Sequence, residues 1–330
     1  MTSERTIDAV ITWVDGSDPV HKSKRLAALN QGEVAAKTVI AAGTDNIRFT
    51  NNGELRYCLA SIKKHAPWIR TIHLITDNQK PQFLTQNDLE IYCINIVDHT
   101  QLFHPKEKAL PTFNSRTLET ALFRIENLAD QFIYFNDDFL LLQKVTPDDF
   151  FSEGKVVLRG VWKKLSNFNS IYMLKNKFLN LLAKKFFGIN RTMHLLAQMR
   201  GARLAGYESR YYRSPHVPHP MNKNTLAQYY QKNPDDFLSN VRFQFRDTQQ
   251  HWPISLTNHL EIRQHRATLK DEKGILIING ERQTSRQILN RIDSIRKNEA
   301  AFLCLQSLEK ISKNLRIEIG KVLNERFDIR

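Results

Sequence analysis

Along the first 140 residues, apolar positions switch repeatedly between a strand-like and a helix-like rhythm. Residues 8–15 (DAVITWVD) form a short β-rich apolar run that Asp15-Gly16 stops. From Glu54 onward, Leu55, Cys58, Leu59 and Ile62 fall at i, i+3, i+4 and i+7, which predicts a helix that Pro67 closes. Residues 71–76 (TIHLIT) and 91–99 (IYCINIVDH) predict two more strands. A second helical spacing follows at Leu118, Ala121, Leu122 and Ile125 behind an Asn114 or Ser115 cap, and residues 131–137 (QFIYFND) predict a fourth strand. This alternation predicts an α/β core with a largely parallel sheet over residues 1–150. Residues 151–213 are expected as a helical insertion that includes FLNLLAKKFFG. Residues 214–330 are expected to complete the core and to end in helices from Arg282 onward, with Leu308, Ile311, Leu315, Ile319 and Val322 apolar.

Each predicted strand ends in polar groups: Asp15-Gly16-Ser17-Asp18, Asp77-Asn78-Gln79, Asp98-His99 and Asn136-Asp137-Asp138. One strand end of this kind is an ordinary turn. Four in succession point to a single site, because ligands of open α/β sheets sit outside the carboxyl ends of the strands.

Composition is that of a globular protein: 330 residues, 41% hydrophobic and 25% charged. The opening MTSERTIDAV lacks an apolar signal region, and no apolar run reaches membrane-spanning length, so a cytoplasmic protein is expected. Cys58, Cys93 and Cys304 lack metal-ligand spacing and are expected as buried small hydrophobes in a reducing compartment. The net charge of +14 is concentrated between Lys155 and Arg213, where thirteen Lys or Arg face the single acid Glu208. Such a segment suits peripheral contact with an anionic membrane face or a phosphate-bearing polymer. Its interleaved aromatics also suit nucleic acid, but the acidic strand ends argue against that partner.

The sharpest local signal is Asn136-Asp137-Asp138, because adjacent carboxylates with an amide oxygen supply the hard ligands that Mg²⁺ or Mn²⁺ prefers. Asn52-Gly53-Glu54-Leu55-Arg56 opens a helix, where free N–H groups favour an anion and Arg56 adds a guanidinium. Further on, His216 or His219 is a candidate base, and Arg246 is a candidate for stabilising transition-state charge. The residues alone leave open whether His216, His219 or Asp15 takes a proton.

In order along the chain, Ile7 to Pro19 with its TWVDGSDP stretch, Asn52-Gly53-Glu54-Leu55-Arg56, Thr76-Asp77-Asn78-Gln79-Lys80-Pro81, Leu110 to Ser115 and Tyr134 to Asp138 resemble the first two conserved blocks of the Stealth proteins. A third block is looser: His216-Val217-Pro218 and Phe245-Arg246 stand where that family carries its His and Arg. The fourth departs, because Leu305-Gln306-Ser307 follows Cys304 where an Asn-Asp pair would stand. The resemblance implies a Rossmann-like (GT-A-like) fold and transfer of a hexose-1-phosphate from a UDP-sugar to a capsular or cell-wall polysaccharide. It implies a Mg²⁺ or Mn²⁺ site at Asn136, Asp137 and Asp138. Catalytic groups would be Asp15, His216 and Arg246. Substrate contacts would come from Trp13, Asp18, Asn52, Glu54, Arg56, Asp77, Asn78, Asn114, Ser115 and His219. A conventional glycosyltransferase that releases UDP would need a similar metal, nucleotide pocket and base, and only the resemblance separates the two.

Overall fold

The computed structural model describes residues 6–30, 52–166 and 194–329. The alternating rhythm of the first half becomes β1 (Ile7–Thr12), α1 (Pro19–Asn30), α2 (Glu54–His65), β2 (Ile72–Thr76), α3 (Gln86–Ile91), β3 (Ile94–Asp98), α4 (Ser115–Thr120) and β4 (Gln131–Asn136). The apolar stripe of α2 is buried as the spacing requires, from Leu55 to Ile62. Gly53 starts that helix with φ 85°, a left-handed conformation that glycine adopts without strain. Asn114 caps α4 by accepting the Arg116 amide. The spacing beyond Leu118 gives only a tight 3₁₀ turn at Leu122–Arg124.

The second half supplies β5 (Phe139–Leu141), β6 (Phe151–Ser152), β7 (Lys155–Arg159), β8 (Val161–Lys164), α5 (His194–Leu204), β9 (Arg210–Arg213), β10 (His219–Asn222), α6 (Lys223–Lys232), α7 (Pro234–Val241), α8 (Pro253–Arg263), β11 (Ala267–Lys270), β12 (Ile275–Asn279), α9 (Ser285–Arg296), β13 (Phe302–Gln306) and α10 (Lys313–Phe327).

The central sheet has the order β3-β2-β1-β4-β10. Its first four strands are mutually parallel, and β10 adds an antiparallel edge. The chain therefore builds outward from β1 to β3, then crosses back to place β4 on the other side of β1. The crevice at such a reversal is where α/β sheets bind ligands. Register brings the strand ends into line: Thr12 pairs with Ile75 and Asn136, and Thr76 with Asp98. All of β1 is buried, including Asp8. Against the cost of burial, His73 Nε2 at 3.3 Å, Arg70 at 2.6 and 2.9 Å and the Ala129 amide at 2.7 Å hold the Asp8 carboxylate at a pKa of about 2.

Three expectations need correction. The segment expected as basic helices forms strands at both ends, β7 with β8 and then β9. Their alternate side chains pack on neighbouring strands, and a helix could not meet that pairing. FLNLLAKKFFG lies outside the described residues. In the C-terminal third, β13 interrupts the expected helices, and Leu308 and Ile311 fall in a 3₁₀ turn and its exit, ahead of α10. Cys93 is exposed rather than buried, because it takes φ 50° in the turn that feeds β3. Later elements are integral to the first half: β10 pairs with β4, and β13 pairs with β5.

Candidate functional site

β4 carries Asn136 to the carboxyl edge of the sheet, and the chain turns through Asp137 and Asp138 into β5. β13 secures this turn. The Leu305 amide donates to the Asp138 carbonyl at 3.0 Å, and the Cys304 thiol lies 3.5 Å from Asp138 Oδ2. Both side chains keep partial access to solvent yet are crowded by protein. Crowding out of water, the charge of Asp138 and then that of Glu54 push the Asp137 carboxyl well above the usual range. Desolvation and Glu54 raise Asp138 to about 7. Asp138 Oδ1 is buried with no hydrogen-bond partner among the described residues.

Two repelling carboxylates with an unsatisfied oxygen are chemically suited to a divalent cation. Among the described residues no three His, Cys, Asp or Glu stand close enough to enclose an ion. The pair would thus supply part of a shell that phosphate oxygens and water complete, the usual arrangement for Mg²⁺. The Asn136 amide oxygen lies 2.9 Å from the Tyr134 hydroxyl, which leaves it a second lone pair for a ligand.

A buried polar network joins this turn to α4. The Tyr134 hydroxyl lies 2.9 Å from Thr12 Oγ1 and 3.1 Å from Glu119 Oε1. Arg246 donates to Ser115 Oγ at 2.7 Å, and its charge acts on Glu119, Tyr134 and Asp138. Burial lowers the Arg246 pKa, and those three groups oppose the fall. Arg116 is buried beside it and donates to the Asp247 carbonyl at 3.2 Å. Burial and then the Arg246 charge bring Arg116 down to about 9. Asn114 ties the Arg246 loop to the core, with its amide donating to Phe243 O and Gln250 Oε1.

Histidines close the opposite side. Phe139, next after Asp138, meets both His216 and His219 edge-on at ring centroid separations of 6.3 and 6.1 Å. His194 stacks on His216 at 5.1 Å, and Trp252 packs against His194 and His219. Burial and then the neighbouring His216 hold His219 neutral, with a pKa of about 3, and its Nε2 is buried with no hydrogen-bond partner among the described residues.

The other strand ends are internally satisfied. Asp15 accepts from the backbone and hydroxyl of Ser17, while its own backbone is held at both polar atoms by the Gln79 amide. Asp18 caps α1 through the His21 amide. Asp77 takes His21 Nδ1 at 2.8 Å and Lys24 Nζ at 2.9 Å, contacts that hold its carboxyl well below the usual range. Asn78 takes φ 51° and donates its amide to Asp98. Trp13 is buried in the core with its indole N–H unpartnered among the described residues. At the start of α2, Asn52 donates twice to the Glu54 carboxylate, at 2.8 and 2.9 Å, and Arg56 is exposed one step further on.

The structure thus brings Asp137, Asp138, Glu54, Arg246, Ser115, His216 and His219 around one turn. It places Asp15, Asp18, Asp77 and Asn78 in a neighbouring hydrogen-bonded cluster. Sequence reasoning missed Arg116 and Glu119 as a buried pair of opposite charges three residues apart on α4, along with His194 and the thiol of Cys304. The burial of Arg116 and Glu119 had one faint signal, their proximity to the apolar positions Leu118, Ala121 and Leu122.

Comparison with known proteins places this geometry in context. Residues 5–33 match the family model for conserved region 1 of Stealth proteins, and residues 48–159 match that for conserved region 2. The exopolysaccharide phosphotransferase SCO6023 of Streptomyces coelicolor is 41% identical over 145 residues, covering 44% of this chain and 23% of that protein. The capsular polysaccharide phosphotransferase cps1A of Actinobacillus pleuropneumoniae is 40% identical over 153 residues, covering 46% of this chain and 40% of the relative. The exopolysaccharide phosphotransferase cps2G of Lactiplantibacillus plantarum is 29% identical over 268 residues, covering 75% of this chain and 74% of its own length. The chain thus spans less than half the length of the first two. Among solved structures, the galactosyltransferase LgtC with donor and acceptor sugar analogs superposes over 97% of this chain and 95% of its own at a TM-score of 0.41 and 9% identity, a distant likeness. Residues 5–33 and 48–159 of the chain are thus similar to conserved regions 1 and 2 of the Stealth proteins.

Proposed function

We propose that this protein transfers a hexose-1-phosphate from a UDP-sugar to a hydroxyl of a capsular or exopolysaccharide chain, releasing UMP. The observation that carries the reading is the Asp137-Asp138 turn, whose two carboxyls are pushed up by crowding and by neighbouring negative charge beside the Arg246 guanidinium. When bound, Mg²⁺ or Mn²⁺ supplies charge neutralisation at the donor diphosphate. Asp137 and Asp138 hold that charge in place, and the Asn136 amide oxygen adds a neutral ligand. Arg246, oriented by Ser115 and the Glu119 carboxylate, holds oxygens of the transferring phosphoryl group, where charge spreads as the acceptor oxygen approaches. His216, stacked on His194 and edge-on to Phe139, takes the proton of the acceptor hydroxyl. Arg56 adds a second cation at the first turn of α2. The names of the relatives, capsular and exopolysaccharide phosphotransferases, support the reaction class.

The test is to incubate the protein with a panel of UDP-sugars, Mg²⁺ or Mn²⁺ and acceptor oligosaccharides. UMP by chromatography and a phosphodiester signal by phosphorus NMR are expected. Release of UDP with a phosphorus-free product would instead establish a conventional glycosyl transfer.

A further inference from the structure

A groove of about 540 Å³ opens beside the Asp137-Asp138 turn, within the size range of ligand sites. Asn52 and Tyr57 line its α2 side, Leu305 its β13 end, and Lys313, Arg316 and Ile317 its α10 side. Two of its lining residues bond to residues of the candidate site. Asn52 donates to the Glu54 carboxylate, whose charge acts on both aspartates, and Leu305 donates its amide to the Asp138 carbonyl. The groove walls are pinned together where the Tyr57 hydroxyl donates to Asn324 Oδ1 at 3.0 Å.

We infer that this groove holds the acceptor chain, and that Lys313 and Arg316 bind a phosphodiester already built into it. The inference rests on the proposed reaction, because that reaction makes each elongated acceptor a polyanion. Three features of the groove select such a chain. Lys313 and Arg316 are exposed on one wall, and neither makes an ion pair among the described residues, so their charge is available to an incoming anion. Leu305, Leu308 and Ile317 offer aliphatic surface that fits the C–H faces of sugar rings, and Asn52 and Tyr57 offer hydrogen bonds to hydroxyls. The charge is also asymmetric: carboxylates Glu54, Asp137 and Asp138 lie at the site end and cations on α10. The cations on α10 hold the phosphodiester away from the acid pair, which leaves a neutral terminal sugar to present its hydroxyl there. The two cations differ in kind, since Arg316 can grip two phosphate oxygens at once and Lys313 acts as a point charge. The site would thereby prefer extending a phosphate-bearing chain to starting on a neutral one.

The experiment uses the full chain and three probes: a six-unit oligo(glycerol phosphate) as phosphodiester chain, maltohexaose as neutral chain, and inorganic phosphate. Binding is followed by calorimetry at low and moderate salt. The phosphodiester chain should bind about tenfold or more tighter than either other probe, and added salt should weaken it. The double variant K313Q/R316Q should lose that preference, while circular dichroism, thermal midpoint and acceptor-independent hydrolysis of the UDP-sugar remain at wild-type values, because both side chains are exposed and outside the acid pair. Equal binding of the phosphodiester chain by wild type and K313Q/R316Q overturns the inference. So does equal affinity for maltohexaose, or for inorganic phosphate. Charge-dependent binding to phosphatidylglycerol vesicles that K313Q/R316Q abolishes, without selective oligomer binding, assigns the cations to a membrane face instead. Absence of UMP from every UDP-sugar with wild-type protein defeats the proposed reaction, a result read separately from oligomer binding.

Discussion

Asp77 and the Asp137-Asp138 pair stand at the carboxyl edge of one sheet, yet their environments drive them in opposite directions. Asp77 follows β2 and is met by His21 and Lys24 from α1, so its charge is matched and its pKa falls well below the usual range. Asp137 and Asp138 follow β4, are crowded out of water and stand beside Glu54, so their carboxyls rise even though the Cys304 thiol opposes the rise at Asp138. A satisfied carboxylate fastens a helix to a sheet. An unsatisfied pair is a cost to the fold unless a ligand relieves it, and costs of that kind gather at functional sites.

The largest expected effect breaks the unsatisfied side. Asp137→Asn and Asp138→Asn should each lower turnover about a hundredfold or more, and chelation should abolish it, because charge at the transferring group loses its neutralisation. Neither variant should lower the thermal midpoint, since each removes a repulsion. Full turnover in excess EDTA would remove the metal assignment.

The satisfied side should fail in stability instead. Asp77→Ala leaves the buried His21 and the amine of Lys24 without their partner, and should cost about 2–3 kcal/mol in urea unfolding. Turnover per folded molecule should stay within about threefold. A hundredfold loss of turnover with unchanged stability would make Asp77 a substrate contact and dissolve the contrast.

The smallest effect separates carboxylates from histidines. Burial holds His99 and His259 at about 4 and His219 and His251 at about 3. An unfolded histidine takes up a proton near pH 6.5 and these folded ones do not, so their contribution is complete above about 6.5 and lost as pH falls toward 3–4. Asp77, with its pKa lowered, keeps its ion pairs throughout that window and loses them only below the ordinary carboxylate range. Urea midpoints should therefore fall between pH 7 and pH 5. His251→Asn should flatten that fall by up to about 1.4 kcal/mol per pH unit. An unchanged slope in the variant would show that other groups take up the proton.

Much of this was legible in the chain. Short β-rich apolar runs located β1, β2, β3 and β4, and a period-3.6 stripe located α2, because apolar segments of these lengths and spacings are the ones that the core buries. The Asn136-Asp137-Asp138 turn was legible because hard-ligand residues follow a buried strand directly. Arg116 and Glu119 were not, since a charged side chain on a helix reads the same in sequence whether it faces water or a second buried charge. β13 was read within a helical region for a related reason. Five residues of mostly apolar character fit either rhythm, and only pairing with β12 and β5 makes Phe302–Gln306 a strand.

By itself the sequence determined which segments of the first 140 residues extend, where α2 coils, and which polar groups arrive at the carboxyl edge of the sheet, because those follow from local apolar patterning and turn chemistry. Tertiary structure decided what each group meets there. Asp15 and Asp77 find donors from Ser17, His21 and Lys24, while Asp138 finds Asp137, Glu54 and Cys304, the last from 166 residues away. The physical reason is that a carboxylate's charge state depends on desolvation and on neighbours within a few ångströms, and those neighbours come from strands and helices distant along the chain.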